Sequence, residues 1–211
     1  MAPKSEQAER TKTKILSAVY EIVRREGPQG ISANKIVTTA KISKGGLFHH
    51  FPQIEDLYLY MLDDLIRQMD EGLVPRDFPS LEKFIGHTTD FLILWMDQAP
   101  EIMSALYHFL SQSLHNPKYQ ERLKTMVESS FAGWAEKLSA YFTPALSKTK
   151  MQELVRLVDM YFSGLGLHYL IFKDPKFYRR LSKDFARMLQ VQFTGPAPGS
   201  PVQLRPNRRT S

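Results

Sequence analysis

Residues 32–51 read SANKIVTTAKISKGGLFHHF, and their pattern is that of two short helices joined by a tight turn. Ser32 is a residue type that caps the N-terminus of a helix. Ile36, Val37 and Ala40 then recur at helical spacing and would share one face. Lys41 and Ile42 follow as the turn. The first half of the stretch therefore predicts a short helix that packs by one side only.

The second half predicts another helix, with a different outer surface. Ser43 can cap it, and Leu47 and Phe51, four positions apart, would face inward. The remaining positions carry basic, ring and small residues, namely Lys44, Gly45, Gly46, Phe48, His49 and His50. This is the pattern of a helix-turn-helix, in which the second helix enters the major groove of DNA. We therefore expect a DNA-binding head.

The distribution of charge supports a polyanionic partner for the head. Residues 1–51 hold nine Lys and Arg against four Glu, whereas residues 52–193 carry a net charge of −2. A basic head on a slightly acidic body fits double-stranded DNA as the partner of the head alone. Taken without the motif, the same charge would also fit a merely solvated basic surface.

Composition argues against several classes of protein. There is no cysteine among the 211 residues, so a disulfide framework, a thiol nucleophile and a zinc finger are excluded. The N-terminus is polar, and no run approaches the ~18 apolar residues that a membrane span requires. We therefore expect a cytoplasmic protein with no membrane partner.

No catalytic motif stands out either. The sequence has no Gly-rich phosphate loop, no GxSxG and no HExxH, and acidic pairs such as Asp63-Asp64 are expected on a wet helix face. His49 and His50 are adjacent, and adjacent residues of a helix point about 100° apart, which argues against a metal pair. We expect no enzyme, no cofactor and no metal.

The rest of the chain has helical periodicity and no alternating strand pattern, which predicts an all-α fold. Leu57, Met61 and Leu65 recur every four residues in a rod helix that would connect the head to the body. We expect a helix-turn-helix DNA-binding domain over 1–52 and a helical ligand-binding and dimerisation domain over 53–193. Residues 194–211, rich in Gly, Pro, Ser and Arg, are expected to form a disordered basic tail.

Head, rod helix and body together resemble the TetR family of bacterial transcriptional regulators. The carrying motif is IVTTAKISKGGLFHHFPQIEDL, residues 36–57, with a Ser-Lys-Gly start of the recognition helix and a Leu-ring-X-His-Phe continuation. The resemblance implies all-helical homodimers with about nine helices per subunit, whose last two helices pair into a four-helix bundle. It also implies a ligand pocket under the rod helix. Over the head the resemblance rests on a specific sequence motif. Over the body it is a resemblance of architecture alone.

The same resemblance implies roles for residues of the head. Base contacts would come from Gly45, Gly46 and His49, and phosphate contacts from Ser32, Lys44, Phe48 and His50. The chain departs from the family at three places. Lys41 holds a turn position often occupied by glycine, which predicts either an unfavourable backbone conformation there or a slightly different turn. Phe48 stands where Tyr is frequent, and Gln53-Ile54 replaces a basic residue at the start of the rod helix.

The body is rich in aromatic residues and methionine, which predicts either a plain core or a site for an apolar or amphipathic small molecule. For any single side chain, core packing is the simpler interpretation. Candidate lining residues are Phe84, His87, Phe91, Trp95, Met103, Tyr107, His108, Gln112, Trp134, Tyr161 and His168. The polar groups that could orient a ligand belong to His87, Tyr107, His108, Gln112 and His168.

Gly164 and Gly166 lie inside a predicted helix, where each costs about 1 kcal/mol relative to alanine. Close approach of a partner helix or of a ligand would explain them, and a tolerated kink is the alternative. With the family resemblance, they predict a homodimer interface formed by Gly164, Gly166, Leu181, Phe185 and Met188. The two heads would then read a pseudo-palindromic operator.

We therefore predict a ligand-responsive transcriptional regulator, a repressor that binds its operator as a homodimer and is released by an apolar or amphipathic small molecule. The alternative is a helical ligand-binding or scaffold protein whose head does not read DNA.

Overall fold

The computed structural model describes residues 4–71 and 78–194, and every regular element in these two ranges is a helix. In chain order the elements are α1 (Lys4–Glu26), a short 3-10 helix (Pro28–Gly30), α2 (Ala33–Ala40), α3 (Lys44–His50), α4 (Ile54–Glu71), α5 (Leu81–Gln98), α6 (Pro100–Gln112), α7 (Pro117–Ser139), α8 (Lys148–Phe172) and α9 (Pro175–Thr194). The expected all-α fold is confirmed. The tail predicted for 194–211 lies, after Thr194, outside the described residues. Within the described ranges no helix combines the length and the apolar character that a membrane crossing needs.

Serine caps begin the two short helices of the head. The hydroxyl oxygen of Ser32 accepts a hydrogen bond from the backbone N–H of Lys35 at 3.4 Å, and that of Ser43 accepts one from Gly46 at 3.0 Å. Ile36 of α2 and Leu47 of α3 are almost fully buried. Each helix therefore begins where its capping residue predicts and is held by apolar side chains on its inner face.

The head has no core of its own but shares one with the body. Ile15 and Val19 of α1 are buried in the same apolar cluster as Met61 of α4, Phe109 of α6 and Tyr119 of α7. The rod helix α4 thus has buried side chains in contact with head and body at once. A change in the position of α4 would therefore have to be accommodated in a core that includes the head.

Hydrogen-bonded hydroxyls join three helices of the body. Thr89 Oγ1 of α5 lies 2.6 Å from Ser182 Oγ of α9, which in turn lies 2.7 Å from Tyr161 Oη of α8. Thr89 and Ser182 are fully buried. Because a buried hydroxyl left without a partner costs free energy, this chain of contacts specifies how α5, α8 and α9 fit together.

The turn between α2 and α3 contains a strained lysine. Lys41 has φ 54° and ψ 49°, in the left-handed region where a side chain is unfavourable. Its N–H donates to the carbonyl of Thr38 at 3.3 Å. Of the two alternatives for this position, the unfavourable backbone conformation is confirmed: the turn keeps the left-handed conformation that glycine would adopt more easily.

Replacing Lys41 by glycine should therefore raise the free energy of unfolding. The left-handed backbone costs about 1–2 kcal/mol, and the greater freedom of glycine in the unfolded chain offsets about 0.4–1 kcal/mol of the relief. We expect a net gain of about 0.5–1 kcal/mol, measured by urea unfolding at fixed protein concentration. Lys41→Ala keeps the strain and serves as the control. An equal gain in both variants would contradict this explanation.

Candidate functional site

The outer surface of α3 is held in place by a few inward contacts. Leu47 and Phe51 are buried, which anchors the helix and leaves its other positions turned outward. Lys44, Gly45 and His49 are exposed. An alanine Cβ built at Gly45 would have Ser43 Oγ as its nearest neighbour, at 4.0 Å, so the space beside this glycine is open. The helix can therefore bring its backbone close to another molecule.

The basic side chains of the head differ in whether their charge is already compensated. Lys35 and Arg25 both contact the carboxylate of Glu26. These hydrogen bonds lower the pKa of Glu26, and the one from Lys35 has the larger effect. Lys44, by contrast, makes no ion pair with any residue of the described part of the chain. Lys44 is therefore available to neutralise the charge of a partner, whereas Lys35 is partly committed.

The other predicted DNA-contact residues are also accessible. Ser32 is exposed, and its hydroxyl oxygen accepts the capping hydrogen bond while its O–H remains able to donate. Phe48 is 38% exposed, and Gly46 and His50 are partly exposed. The rings of His49 and His50 meet edge to face with centroids 5.2 Å apart. Among the described residues no group of three His, Cys, Asp or Glu is arranged to hold a metal ion.

A buried carboxylate joins the head to the rod helix. Asp64 of α4 is 8% exposed and accepts hydrogen bonds from the hydroxyl of Tyr20 in α1 at 2.9 Å and from Gln68 Nε2 at 2.6 Å. Arg67 contacts its other oxygen. Burial, followed by the hydrogen bond to Asp64, raises the pKa of Tyr20. The hydroxyl therefore remains protonated and donates at neutral pH.

The expectation that Asp63 and Asp64 both lie on a wet face was wrong for Asp64. It follows Met61 by three positions and Leu57 by seven, so helical geometry turns it toward the same interior as those side chains. This spacing was the available signal. The sequence could not indicate the partner, because Tyr20 is 44 positions away in another helix.

The first turn of α4 is tied to α7 as well. Asp56 accepts a hydrogen bond from the backbone N–H of Gln53 at 2.8 Å and also contacts the guanidinium of Arg122 in α7. Asn116, the N-cap of α7, donates to Glu55 at 3.4 Å. The start of the rod helix is thus bound to α7 by polar contacts, and its middle is bound to the head by Asp64.

Five of the residues predicted to line the ligand site lie in or against one apolar cluster. One apolar cluster, formed by α5, α6, α8 and α9, contains or contacts Phe91, Trp95, Met103, Tyr107 and Tyr161. The hydroxyl of Tyr107 donates to the backbone carbonyl of Ser163 in α8 at 2.8 Å. This cluster is the part of the body where the predicted residues could act together.

The remaining predicted residues lie elsewhere. Phe84 is fully buried in a second cluster, with its ring centroid 5.9 Å from that of Trp134. His108 and Gln112 are neighbours on α6, with their side-chain nitrogens 3.5 Å apart. His87 and His168 are exposed. A single pocket lined by all of these residues stays a prediction.

A groove of about 700 Å³ lies between α4 and α7. Its walls include Leu59, Asp63, Ile66, Met126, Ser129 and Gly133. None of the ligand-site residues predicted from the sequence lines it. The signal was present, because Leu59, Asp63 and Ile66 recur at helical spacing, but no local pattern pairs this face with α7.

The two mid-helix glycines of α8 have different surroundings. A Cβ at Gly166 would lie 2.6 Å from the hydroxyl of Tyr107, so Gly166 faces the interior and leaves room for that side chain. A Cβ at Gly164 would meet no described atom within 4 Å. Among the other predicted interface residues, Leu181 and Met188 are exposed, whereas Phe185 is stacked on Tyr161 with centroids 4.0 Å apart. The close approach predicted at Gly166 is therefore made within the subunit.

Comparison with known proteins identifies the family of the head. The family model described as bacterial regulatory proteins, tetR family, matches residues 15–61. No curated protein sequence matches the chain.

Solved structures share the fold over most of the chain. A transcriptional regulator from Rhodococcus sp. Rha1 aligns with a TM-score of 0.68 and 14% identity, over 88% of this chain and 99% of that one. A transcriptional regulator from Aquifex aeolicus VF5 aligns with a TM-score of 0.59 and 21% identity, over 85% and 99% of the two chains. The multidrug binding protein EbrR, complexed with malachite green, aligns with a TM-score of 0.57 and 18% identity, over 84% and 96%.

The Tyr20–Asp64 contact can be tested by a double-mutant cycle. Asp64→Ala leaves the partly buried hydroxyl of Tyr20 without its acceptor and should cost about 2–3 kcal/mol of unfolding free energy, and Tyr20→Phe about 1 kcal/mol. Because the two side chains share one contact, the double variant should lose less than the sum. Urea unfolding of all four proteins measures this difference. Additivity within about 0.3 kcal/mol would contradict a direct contact.

Proposed function

The chain belongs to the TetR family of bacterial regulatory proteins, and on that basis we propose that it is a transcriptional repressor that binds a pseudo-palindromic DNA operator as a homodimer. It acts by binding and not by turnover, in the cytoplasm, and an apolar or amphipathic small molecule releases it from DNA. The head spans residues 1–52, and the helical body, residues 53–193, binds the ligand and forms the dimer.

The observation that carries the proposal is the exposed surface of α3. Lys44 offers a charge that is not compensated within the described residues, and Gly45 beside it has open space around its Cα. Anchored by buried Leu47, this helix can lie in the major groove with His49 toward the base edges. Ser32, Gly46, Phe48 and His50 add contacts to bases or to the flanking phosphates.

A stripe of exposed apolar side chains supports the homodimer. On α8, Met160, Leu167 and Ile171 are 67%, 48% and 66% exposed, and Gly164 lies between them at helical spacing. On α9, Met188 and Val191 are 68% and 66% exposed. Large apolar side chains that follow one face of two neighbouring helices are typical of a subunit interface. At Gly164 the helix of a second subunit could approach closely.

Release by a ligand follows from the position of α4. Because α4 is packed against both head and body, a ligand that favours one of its positions over another also changes the position of the heads. The operator is bound less tightly when the two heads stand at the wrong separation. EbrR, which has the same fold, is a multidrug binding protein with a structure in complex with malachite green, and a small-molecule site in the body of this chain fits that similarity.

A gel-shift assay with the DNA upstream of the protein's own gene, titrated with salt, tests the proposal. Wild-type protein should bind, and Lys44→Ala should bind more weakly with a salt slope smaller by about 1, because one phosphate contact is lost. Lys148→Ala, which removes the same charge from the body, is the control and should leave the slope unchanged. An unchanged slope in Lys44→Ala contradicts the phosphate contact. No binding by the wild type would favour a helical ligand-binding or scaffold protein instead.

The dimer is tested by adding a charge to the apolar stripe. Met188→Glu would bury a carboxylate between the subunits, so we expect a monomer with unchanged helical content and weakened DNA binding. Light scattering after size-exclusion chromatography measures the mass, and circular dichroism the helix content. Leu94→Glu is the matched control, since Leu94 is 55% exposed but lies on α5. A dimeric Met188→Glu variant would contradict the proposed interface.

A further inference from the structure

The end of α1 carries a negative charge where a helix favours a positive one. Glu26 is the last residue of α1, and the partial negative charge of a helix C-terminus disfavours a carboxylate there. Arg24 and Arg25, in the same turn, have the favoured sign. Helix formation alone therefore gives no reason for an acid at position 26. A local rule that is broken in this way points to a role outside the helix.

The carboxylate of Glu26 is held against the helix-turn-helix. Its Oε2 contacts Nζ of Lys35 in α2, and its Oε1 lies 2.8 Å from Nη2 of Arg25. Gly30 is buried beside it, and a Cβ there would lie 2.6 Å from Cβ and 3.2 Å from Oε2 of Glu26. The hydrogen bond from Lys35, followed by that from Arg25, lowers the pKa of Glu26, so the carboxylate stays ionised at neutral pH. The chain thus leaves room for a charged contact between α1 and α2.

The two cations that contact Glu26 differ in what they would do without it. Arg25 also lies 3.5 Å from the carboxylate of Glu21, so it would keep a partner. Lys35 makes no other ion pair within the described part of the chain. Removing the negative charge at position 26 would therefore release one positive charge, that of Lys35.

Lys35 lies on the face of α2 that the proposed function turns toward DNA. It follows Ser32 by three positions and precedes Thr39 by four, and residues at these spacings share one face of a helix. Lys35 is in the first turn of α2, whose partial positive charge attracts anions. Asn34 and Thr39 line the same cleft of about 330 Å³ between α1 and α2 as Lys35 and Glu26. A phosphate that contacts Ser32 therefore comes close to the ammonium group of Lys35.

We propose that Glu26 competes with DNA phosphate for Lys35 and thereby limits the affinity of the head for DNA. In the free protein the carboxylate occupies the place of a phosphate beside the ammonium group. In the complex a phosphate has to displace it, and the carboxylate, still in contact with Arg25, repels the phosphate. The inference rests on the proposed function, because it takes the outer face of α2 and α3 as the DNA-binding surface.

This competition weakens binding without changing which sequence is preferred. A contact to the phosphate backbone carries no sequence information, so Glu26 lowers the affinity for every duplex by the same factor. Less of the protein is then held on unrelated DNA. The choice of the operator is left to the base contacts of α3.

Glu26→Gln tests the competition in the full-length protein. Gln keeps the length and a hydrogen-bond acceptor of the side chain but removes its charge. We expect the affinity for duplex DNA to rise about tenfold at about 0.1 M salt, with a salt slope steeper by about 1, because one phosphate contact is gained. The increase should be the same for the DNA upstream of the protein's own gene and for a duplex of unrelated sequence. Fluorescence anisotropy of labelled duplexes over a series of salt concentrations measures both quantities.

Two further variants separate the effect of Lys35 from a general change in charge. Glu21→Gln removes the same charge from the same helix but leaves Lys35 and Arg25 paired with Glu26, so the slope should not change. In a Lys35→Ala background, Glu26→Gln should no longer steepen the slope. Circular dichroism should show equal helical content in all variants, because Gln also removes the unfavourable charge at the end of α1.

Equal salt slopes for wild type and Glu26→Gln would overturn the proposal, and so would a steeper slope that persists in the Lys35→Ala background. The unrelated duplex separates this proposal from the proposed function. If Glu26→Gln binds both duplexes more tightly but no protein prefers the upstream DNA, the competition stands and operator recognition is overturned. If wild type prefers the upstream DNA and the slopes are equal, the competition is overturned and operator recognition stands.

Discussion

The whole structure depends on α4 being buried on two sides. Leu57, Met61 and Leu65 are withdrawn from water in a core to which α1, α6 and α7 also contribute. Because protein interiors are close-packed, α4 cannot move relative to the body without a response in the head. Asp64 adds directional hydrogen bonds to this packing. Its buried carboxylate loses stabilisation if the donors on α1 and α4 separate from it.

The surfaces left exposed differ in chemistry, and each difference points to a different kind of partner. The outer face of α3 has a lysine, small residues and imidazole rings, which suit a polyanion whose grooves admit a helix. The outer faces of α8 and α9 have large apolar side chains, which suit a surface of the same kind in a second subunit. The groove between α4 and α7 is a third surface, where Asp63 has no ion pair among the described residues and the two lining arginines, Arg67 and Arg122, are paired.

The two glycines of α8 illustrate how one sequence signal can have two structural causes. Both cost helix stability, and from the sequence both could be assigned to a subunit interface. Gly166 is needed inside the protomer, where Tyr107 crosses α8, whereas Gly164 faces outward among exposed apolar residues. Their spacing of two positions places them about 200° apart around the helix, so they could not serve the same contact.

The sequence by itself determined the helices and the character of the head. Capping residues such as Ser32 and Ser43, and apolar side chains at helical spacing, act within one or two turns, so their effect is readable without the rest of the chain. Only the tertiary structure decided which faces meet. Tyr20 reaches Asp64 across 44 positions, and α4 forms a groove with α7, because packing depends on the mutual fit of distant surfaces that no local pattern records.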